Sequence, residues 1–271
     1  MQYSHSSPEH FAAKGWAKSG QDTKLLAWVE SVRMLCRNIH QKPETQHWWR
    51  HGKTWFVGVN VLPNDSAGKV PGGVVMSVGV QRWLRQCLQF GHAHGFEFEP
   101  GQLSVIAPGY PQQDKSEPRA EHNFRRLKDA AHVDGLLPVG INRRRMPQEF
   151  HQFILGIPLE NTASYAGPTV VWEGSHIIMQ EALTKALEGI PFEQWPVTDV
   201  TEIYQRTRQQ VLSSCKRVEI HVPKGEAYLI HRLAVHGTAP WQVRKEDEGQ
   251  DRPVVFFRPE CQNPKDWLAL F

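Results

Sequence analysis

The sequence predicts an α+β domain with a mainly β core, built on a pair of antiparallel sheets. Apolar residues recur at helical spacing over 23–39 and again over 80–90, which predicts two early amphipathic helices. Strand-like runs rich in β-branched and aromatic residues dominate the later chain and end at 253–257. Two helical patterns, 177–187 and 199–213, interrupt those strands. This order of elements along the chain, with helices first and then strands interrupted by one helical insert, favours this fold class.

The remaining elements follow from the same patterns and from turn residues. Further strands are predicted at 54–62, 103–107, 150–159, 168–172, 218–222 and 227–234. The polar segment 1–22 is expected to be loosely held, 41–53 to be a loop, and 111–121 to be a mobile loop. Neither an internal repeat nor a low-complexity tract is apparent, so a single domain spanning 1–271 is expected.

Composition excludes several functional classes. The net charge of +3 and the lack of a polybasic block argue against nucleic-acid binding. The four cysteines lie far apart, without a Cys-x-x-Cys pair, which predicts neither a disulfide framework nor a zinc site. No targeting signal and no membrane-length apolar run is visible. We therefore expect a cytoplasmic protein with no nucleic-acid partner, no membrane partner and an undetermined oligomeric state.

A histidine and a carboxylate two residues apart suggest a metal site. His132 and Asp134 flank Val133, and an apolar run follows them. In a β-strand, alternation places their side chains on one face, about 7 Å apart. Imidazole and carboxylate suit non-haem iron when a second histidine completes a three-ligand face. A His-x-Asp pair alone is weak evidence in a chain with 14 histidines, although this is the only such pair in the sequence.

A later segment supplies a second histidine. His231 and His236 lie in and after an apolar strand, and His236 is followed by Gly237 and Thr238. In a strictly alternating strand, residues five apart face opposite sides, so one of the two histidines should point inward. The alternative for each is a structural histidine, which we favour for His231.

These motifs, in this order, resemble the phytanoyl-CoA dioxygenase family of iron(II)/2-oxoglutarate oxygenases. The resemblance comprises His132-x-Asp134, the Gly-Ser-His of 174–176, the paired histidines ending in His-Gly-Thr, and Arg252 opening a last apolar strand. It covers roughly 125–260. It implies a double-stranded β-helix, a cupin-like jelly roll. The implied layout is a bracing helical lead-in at about 1–100, a catalytic core at about 101–260 and a helical insert at about 177–213.

The resemblance also implies roles for individual residues. His132, Asp134 and His236 would bind Fe(II) and form the catalytic centre. Arg252, with Thr238, would hold the distal carboxylate of 2-oxoglutarate, since a guanidinium binds carboxylate through two parallel hydrogen bonds. Arg244 and Arg258 are competitors for that role. O2 would take the last metal position, and hydroxylation with release of succinate and CO2 is the expected reaction, because halogenating relatives lack the carboxylate.

The substrate-pocket candidates are residues beside these motifs. They are Trp172, Trp241, Arg143 and Tyr110. The arginine run 143–145 is usually a solvated loop, and a clamp for an anionic substrate is the alternative. Two other functions stay open: a cupin-like isomerase or hydrolase that does not use 2-oxoglutarate, and a non-catalytic ligand-binding barrel. The first predicts metal binding without succinate production, and a missing ligand would have favoured the second.

Overall fold

The structure, a computed structural model, describes residues 6–89, 96–243 and 251–270. Its α-helices include each of the four helices predicted from the sequence. They are α1 (Pro8–Lys14), α2 (Thr23–Gln41), α3 (Val78–Cys87), α4 (Arg119–Leu127), α5 (Ser175–Leu187) and α6 (Thr201–Ser214). Short 3-10 helices lie at Pro43–Trp48, Phe192–Val197 and Pro264–Leu268. No helix among the described residues is long and apolar enough to cross a membrane.

The strands form a large sheet, a small sheet and a hairpin, all with antiparallel pairing. The strands of the first half are β1 (Trp16–Lys18), β2 (Trp49–Arg50), β3 (Trp55–Gly58), β4 (Gln102–Ile106), β5 (Leu136–Val139) and β6 (Arg144–Pro147). Those of the second half are β7 (Phe153–Pro158), β8 (Thr169–Trp172), β9 (Arg217–Ile220), β10 (Tyr228–His231), β11 (His236–Thr238) and β12 (Arg252–Phe257). The large sheet has the order β1-β10-β7-β12-β4-β3-β2 and the small sheet β11-β8-β9, while β5 and β6 form the hairpin.

Successive strands of the second half wind between the two sheets. β7 lies in the large sheet, β8 and β9 in the small one, β10 in the large, β11 in the small and β12 in the large. This winding is that of a double-stranded β-helix, so the predicted jelly-roll core is confirmed. Residues such as Ile154, Val171, Ile230 and Val254 fill the space between the sheets.

The helices cover the outer faces of both sheets. Alternate residues of the large sheet, including Leu155 and Phe257, pack against α2 and α3. The indole of Trp28 on α2 lies 5.9 Å from the Phe257 ring. On the small sheet, Val170 and Trp172 pack against α5 and α6. Each sheet therefore has one face on the helices and one on the barrel interior.

Three expectations about irregular segments are corrected. The described part of 1–22 is ordered: α1 and β1 form there, and Phe11 on α1 is fully buried. The loop predicted at 41–53 contains a 3-10 helix and β2. The end of the mobile loop predicted at 111–121 belongs to α4, which begins at Arg119. The sequence did not reveal this helix because it is mostly polar, with Phe124 as its one large apolar residue before Leu127.

Two buried histidines lie where α1 and α5 meet the end of β10. The His176 and His231 rings lie 4.8 Å apart, and each residue is 2% exposed. Burial lowers the pKa of both imidazoles, that of His231 well below its ordinary value of 6.5, and the Arg232 charge acts in the same direction. The folded protein therefore holds both rings neutral.

Acidification should destabilise the protein through these rings. Because the folded-state pKa values are lowered, the unfolded chain takes up protons at a higher pH than the folded chain does. The free energy of unfolding therefore keeps its full value above about pH 6.5 and decreases below it. Each group costs up to about 1.4 kcal/mol per pH unit in that window. Urea denaturation of the native chain and of His231→Gln at neutral pH and about one unit below 6.5 measures the effect.

We expect the variant to lose less stability on acidification than the native chain. The exposed His221→Gln serves as the matched control and should behave like the native chain, since its side chain is 47% exposed. Equal losses in all three proteins would contradict the assignment of the effect to His231.

Candidate metal centre

Three potential metal ligands converge at one end of the barrel. His132, Asp134 and His236 each offer one ligand atom, and these atoms all lie within 4.8 Å of one another. Oδ1 of Asp134 lies 3.2 Å from Nε2 of His132 and 3.6 Å from Nε2 of His236. The set contains two imidazoles and one carboxylate, the ligand types of a non-haem iron site.

The backbone fixes the two histidines against each other. The His132 N–H donates to the His236 carbonyl and the His236 N–H donates to the His132 carbonyl, each over 2.9 Å. This reciprocal antiparallel pair extends the small sheet beyond β11 and places both side chains on one face. The imidazole rings consequently lie only 4.5 Å apart.

Hydrogen bonds determine which ring nitrogen faces the centre. Nδ1 of His132 lies 2.8 Å from the Ala130 carbonyl, and Nδ1 of His236 lies 2.9 Å from the Ala234 carbonyl. A carbonyl only accepts, so each Nδ1 carries the proton and each Nε2 of a neutral ring presents a lone pair. Both lone pairs face an oxygen of Asp134, which also only accepts. A cation placed between these atoms would remove the repulsion, so the donor set fits a divalent metal.

Arg258 holds the other oxygen of the carboxylate. Its Nη1 donates to Oδ2 of Asp134 over 3.1 Å, and the same guanidinium also donates to the Gln102 side-chain oxygen. Burial favours the neutral form of Asp134, but the charge of Arg258 holds the pKa of the carboxyl well below its usual range. Asp134 is therefore ionised, with Oδ1 directed at the histidines.

Glycines follow two of the three ligands because backbone passes close by. A Cβ at Gly135, where φ is +85°, would lie 2.2 Å from the Glu149 carbonyl oxygen. A Cβ at Gly237 would lie 2.1 Å from the Asp129 carbonyl oxygen. The Asp-Gly and His-Gly pairs seen in the sequence thus meet a steric requirement of the centre.

The segment before His132 has an unusual backbone held by an ion pair. Asp129 and Ala130 both have φ of +53°, a left-handed conformation that costs about 1–3 kcal/mol per non-glycine residue. Arg217 on β9 binds Asp129 with two hydrogen bonds, Nε to Oδ2 at 2.7 Å and Nη2 to Oδ1 at 3.1 Å. The Asp129 carbonyl accepts from the Thr238 N–H over 2.8 Å. These contacts fix the Ala130 carbonyl that orients the His132 ring.

The ligands open into a cavity of about 730 Å³. Its inner walls are barrel residues such as Ile154, Ile230 and Phe256. Its outer wall is formed by α4, α6 and the β5–β6 hairpin, which contribute Phe124 and several arginines. Space of this size is typical of a small-molecule site.

Arg252 lies outside the lining of this cavity and lines a smaller neighbouring one of about 280 Å³, to which Thr169 also contributes. It is 8% exposed, and its Nη2 donates to Oγ1 of Thr169 over 2.8 Å. Thr169 lines the cavity, pairs with Thr238 across β8 and β11, and contacts the Tyr228 hydroxyl at 2.9 Å. Burial lowers the pKa of Arg252, and within the described residues no carboxylate forms an ion pair with it. This buried cation therefore has capacity for an anion.

The other sequence-predicted residues divide into two groups. Tyr110, Arg143 and Thr238 line the cavity. Trp172 does not line it. Trp172 is three residues from Thr169 on β8, so the two side chains lie on opposite faces, and that of Trp172 packs toward α5 and α6. Trp241 packs in a small cluster with Tyr110 and does not line the cavity either.

Two further candidates are placed differently. His231 lies beside His176 and away from the ligands, as a structural histidine would. Arg244, one competitor for the cosubstrate carboxylate, lies outside the described residues.

Sequence reasoning missed three residues that shape the centre. It did not find the contact of Arg258 with Asp134, the anchoring of Asp129 by Arg217, or the position of Arg208 on the cavity wall. The first two are contacts between residues 124 and 88 positions apart, and no local pattern encodes them. The third depends on α6 packing beside α4.

Comparison with known proteins gives structural matches only. No protein-family model matches the chain, and no curated protein matches it in sequence. Among solved structures, the non-haem α-ketoglutarate-dependent carbocyclase SnoK from nogalamycin biosynthesis matches with a TM-score of 0.51 and 10% identity, over 96% of this chain and 84% of SnoK. EvdMO1 matches with a TM-score of 0.50 and 11% identity, over 95% of this chain and 50% of EvdMO1. At these identities the likeness shows the fold alone, which is the double-stranded β-helix described above.

Removing the Arg217 guanidinium should weaken metal binding. In Arg217→Gln the left-handed segment loses its ion pair, the Ala130 carbonyl is held less firmly, and we expect affinity for Co(II) to fall about tenfold. The measurement is titration of the metal-free protein with Co(II), followed by its visible absorption, alongside the thermal unfolding temperature.

Arg206→Gln is the matched control, since Arg206 is an exposed arginine on α6. It should leave the Co(II) affinity unchanged. A lower unfolding temperature in Arg217→Gln without any change in affinity would show that the ion pair serves stability alone.

Proposed function

We propose that this protein is an Fe(II)- and 2-oxoglutarate-dependent dioxygenase that hydroxylates a small molecule with release of succinate and CO2. The observation that carries the proposal is the convergence of His132, Asp134 and His236 at the wall of a cavity, with both Nε2 atoms 3.2–3.6 Å from one carboxylate oxygen. A cation placed among these three side chains would bind all three at once.

The residues present fit iron(II) in number and type. Two imidazoles and one carboxylate on one side leave the opposite side of a metal open for other ligands. Bound iron(II) would supply the activation of O2 that is coupled to the oxidative decarboxylation of 2-oxoglutarate. The protein would orient the ligands through the Ala130 and Ala234 carbonyls and would keep the carboxylate ionised through Arg258.

Arg252 supports 2-oxoglutarate as the cosubstrate. Thr169, its hydrogen-bond partner, pairs with Thr238, while Val171, two residues further along β8, pairs with His236. The two strand positions lie about 7 Å apart along β8, a spacing comparable to the length of the five-carbon dicarboxylate. A buried guanidinium that pairs with no carboxylate of the described residues offers the two parallel hydrogen bonds that a distal carboxylate accepts.

Arg258 is less suited to that role because it is already engaged. Its guanidinium binds Asp134 and Gln102, so a second carboxylate would have to displace the first. We therefore assign the distal carboxylate to Arg252 with Thr169 and Thr238, and we assign to Arg258 the positioning of Asp134.

Asp134 itself bears on the type of reaction. A carboxylate at this position leaves no place for a halide ligand, which favours hydroxylation over halogenation. The solved carbocyclase on this fold is described as forming a ring, so the outcome within this chemistry depends on the substrate carbon presented.

Anaerobic titration tests the proposal. Fe(II) and then 2-oxoglutarate added to the metal-free protein should produce a weak visible metal-to-ligand charge-transfer band, which neither addition gives alone. The band should be absent in His132→Ala and His236→Ala, since each variant removes a ligand. His47→Ala, an exposed histidine in the 3-10 helix Pro43–Trp48 that lines neither the large cavity nor the smaller one beside Arg252, should retain it.

Other outcomes would redirect the assignment. Metal binding without the band would favour a cupin-like isomerase or hydrolase that does not use 2-oxoglutarate. No metal binding by the native chain would contradict the metal centre and would favour a ligand-binding barrel.

The two arginines should differ in how they affect 2-oxoglutarate. Arg252→Gln should raise the concentration needed for half-maximal band intensity at least tenfold, because a charge-assisted pair contributes about 1.5–3 kcal/mol. Arg258→Gln should instead weaken Fe(II) binding, since Asp134 loses the cation that orients it. Titrating each variant with metal and cosubstrate in turn separates the effects, and the reverse pattern would exchange the two roles.

A further inference from the structure

The outer wall of the cavity carries three arginines that form no ion pair with a carboxylate among the described residues. Arg143 and Arg145, at the turn and on β6 of the hairpin, and Arg208 on α6 all line the cavity beyond the metal ligands. The ion pairs of the described residues engage other arginines, such as Arg217 with Asp129, but none of these three. Among basic side chains of the cavity, this group is therefore the one with uncompensated charge.

Backbone carbonyls and rings hold two of these guanidinium groups in place. Nη1 of Arg145 donates to the Leu136 carbonyl over 3.0 Å, and Nη1 of Arg208 donates to the Ala131 carbonyl over 3.3 Å. The Arg208 guanidinium also lies 4.4 Å from the centre of the Phe124 ring, in a cation–π contact. Nε of Arg208 is buried and has no hydrogen-bond partner.

The groups facing these arginines do not neutralise them. Arg125 also lines the cavity, but it is paired with Glu117 at 2.8 Å. Glu121 on α4 is the nearby carboxylate that attracts Arg145, without forming an ion pair with it. Glu149 lines the cavity too, and it is bound to His151 at 3.1 Å.

Burial and the charges of its neighbours disfavour the charged form of Arg145. Burial lowers the pKa of Arg145, and the charges of Arg208 and Arg143 act in the same direction. A guanidinium group is an effective binder of carboxylate, phosphate and sulfonate, because it offers parallel hydrogen bonds in a rigid plane. An anion seated between these arginines would compensate the excess charge.

The rest of the cavity is suited to an apolar body. Phe124, Leu136, Val57, Ile154 and Phe256 all line it. The arginines are tied to carbonyls one and two residues from metal ligands, since Ala131 precedes His132 and Leu136 follows Asp134. The anionic group would thus be held at the same end of the cavity as the metal ligands.

We propose that Arg145 and Arg208, assisted by Arg143, bind the anionic group of an amphipathic substrate, a carboxylate, phosphate or sulfonate carried on an apolar frame. That the bound molecule is a substrate rests on the proposed function, whereas binding of its anionic group does not require a metal. The carbon to be oxidised would then lie within a few bonds of the anionic group.

Binding of a matched pair of dyes tests the proposal on the metal-free full chain. 8-Anilinonaphthalene-1-sulfonate supplies an aromatic frame with an anion, and N-phenyl-1-naphthylamine supplies the same frame without charge. We expect saturable binding of the sulfonate to the native chain, with its emission sensitised by tryptophan because Trp55 lines the cavity. Decanoate should displace it, and decanol should not.

Variants assign the binding to particular arginines. Arg145→Gln and Arg208→Gln should each weaken the sulfonate about tenfold and change the affinity of the uncharged dye less than about twofold. Arg206→Gln, on an exposed face of the same helix as Arg208, should bind both dyes like the native chain. Equal weakening of both dyes would indicate a packing defect and overturn the proposal, as would unchanged sulfonate binding or no saturable binding to the native chain.

The metal measurements keep the two proposals distinct. The charge-transfer band with Fe(II) and 2-oxoglutarate should persist in Arg145→Gln and Arg208→Gln. A protein that gives the band, but whose sulfonate binding is unchanged by Arg145→Gln and Arg208→Gln, would overturn the anion site alone. Arginine-dependent binding in a protein that shows no band would overturn the oxygenase function and leave the anion site standing.

Discussion

The reciprocal backbone pair between His132 and His236 is the constraint on which the rest of the centre depends. Two hydrogen bonds of 2.9 Å join chain segments that are distant in sequence and bring both imidazoles to one face of the small sheet. Asp134 then reaches the same point because it lies two residues beyond His132. Without this pair, the ligands would be three side chains on two unconnected segments.

The groups that orient the ligands also make structural contacts elsewhere in the barrel. The Ala130 carbonyl belongs to a left-handed segment anchored by Arg217, and the same segment passes against Gly237 so closely that no Cβ fits there. Arg258, directly after β12, neutralises Asp134 from the large sheet. The centre therefore depends on both sheets, and a change in their relative packing would move Arg258 relative to the carboxylate that it orients.

The sequence was most informative where function requires a short local pattern. His132-x-Asp134 and His236-Gly-Thr are local, and the structure brings them together, although their binding of iron remains a prediction. Periodicity predicted α2, α5 and α6 because their buried residues recur regularly, whereas α4 was missed because it is polar around Phe124. Trp172 was expected at the pocket because it adjoins a motif, but strand alternation directs it to the helices.

Contacts between distant segments explain what the sequence could not reveal. The charge on the cavity wall arises because α6 and the β5–β6 hairpin place Arg208 and Arg145 together, and their separation along the chain hides this. Taken alone, an arginine run such as 143–145 is usually a solvated loop, and Arg144 does pair with Asp199 at the surface. Its neighbour Arg145 faces inward through β-strand alternation. One residue step thus separates a surface ion pair from a cation in the cavity, and only the fold distinguishes them.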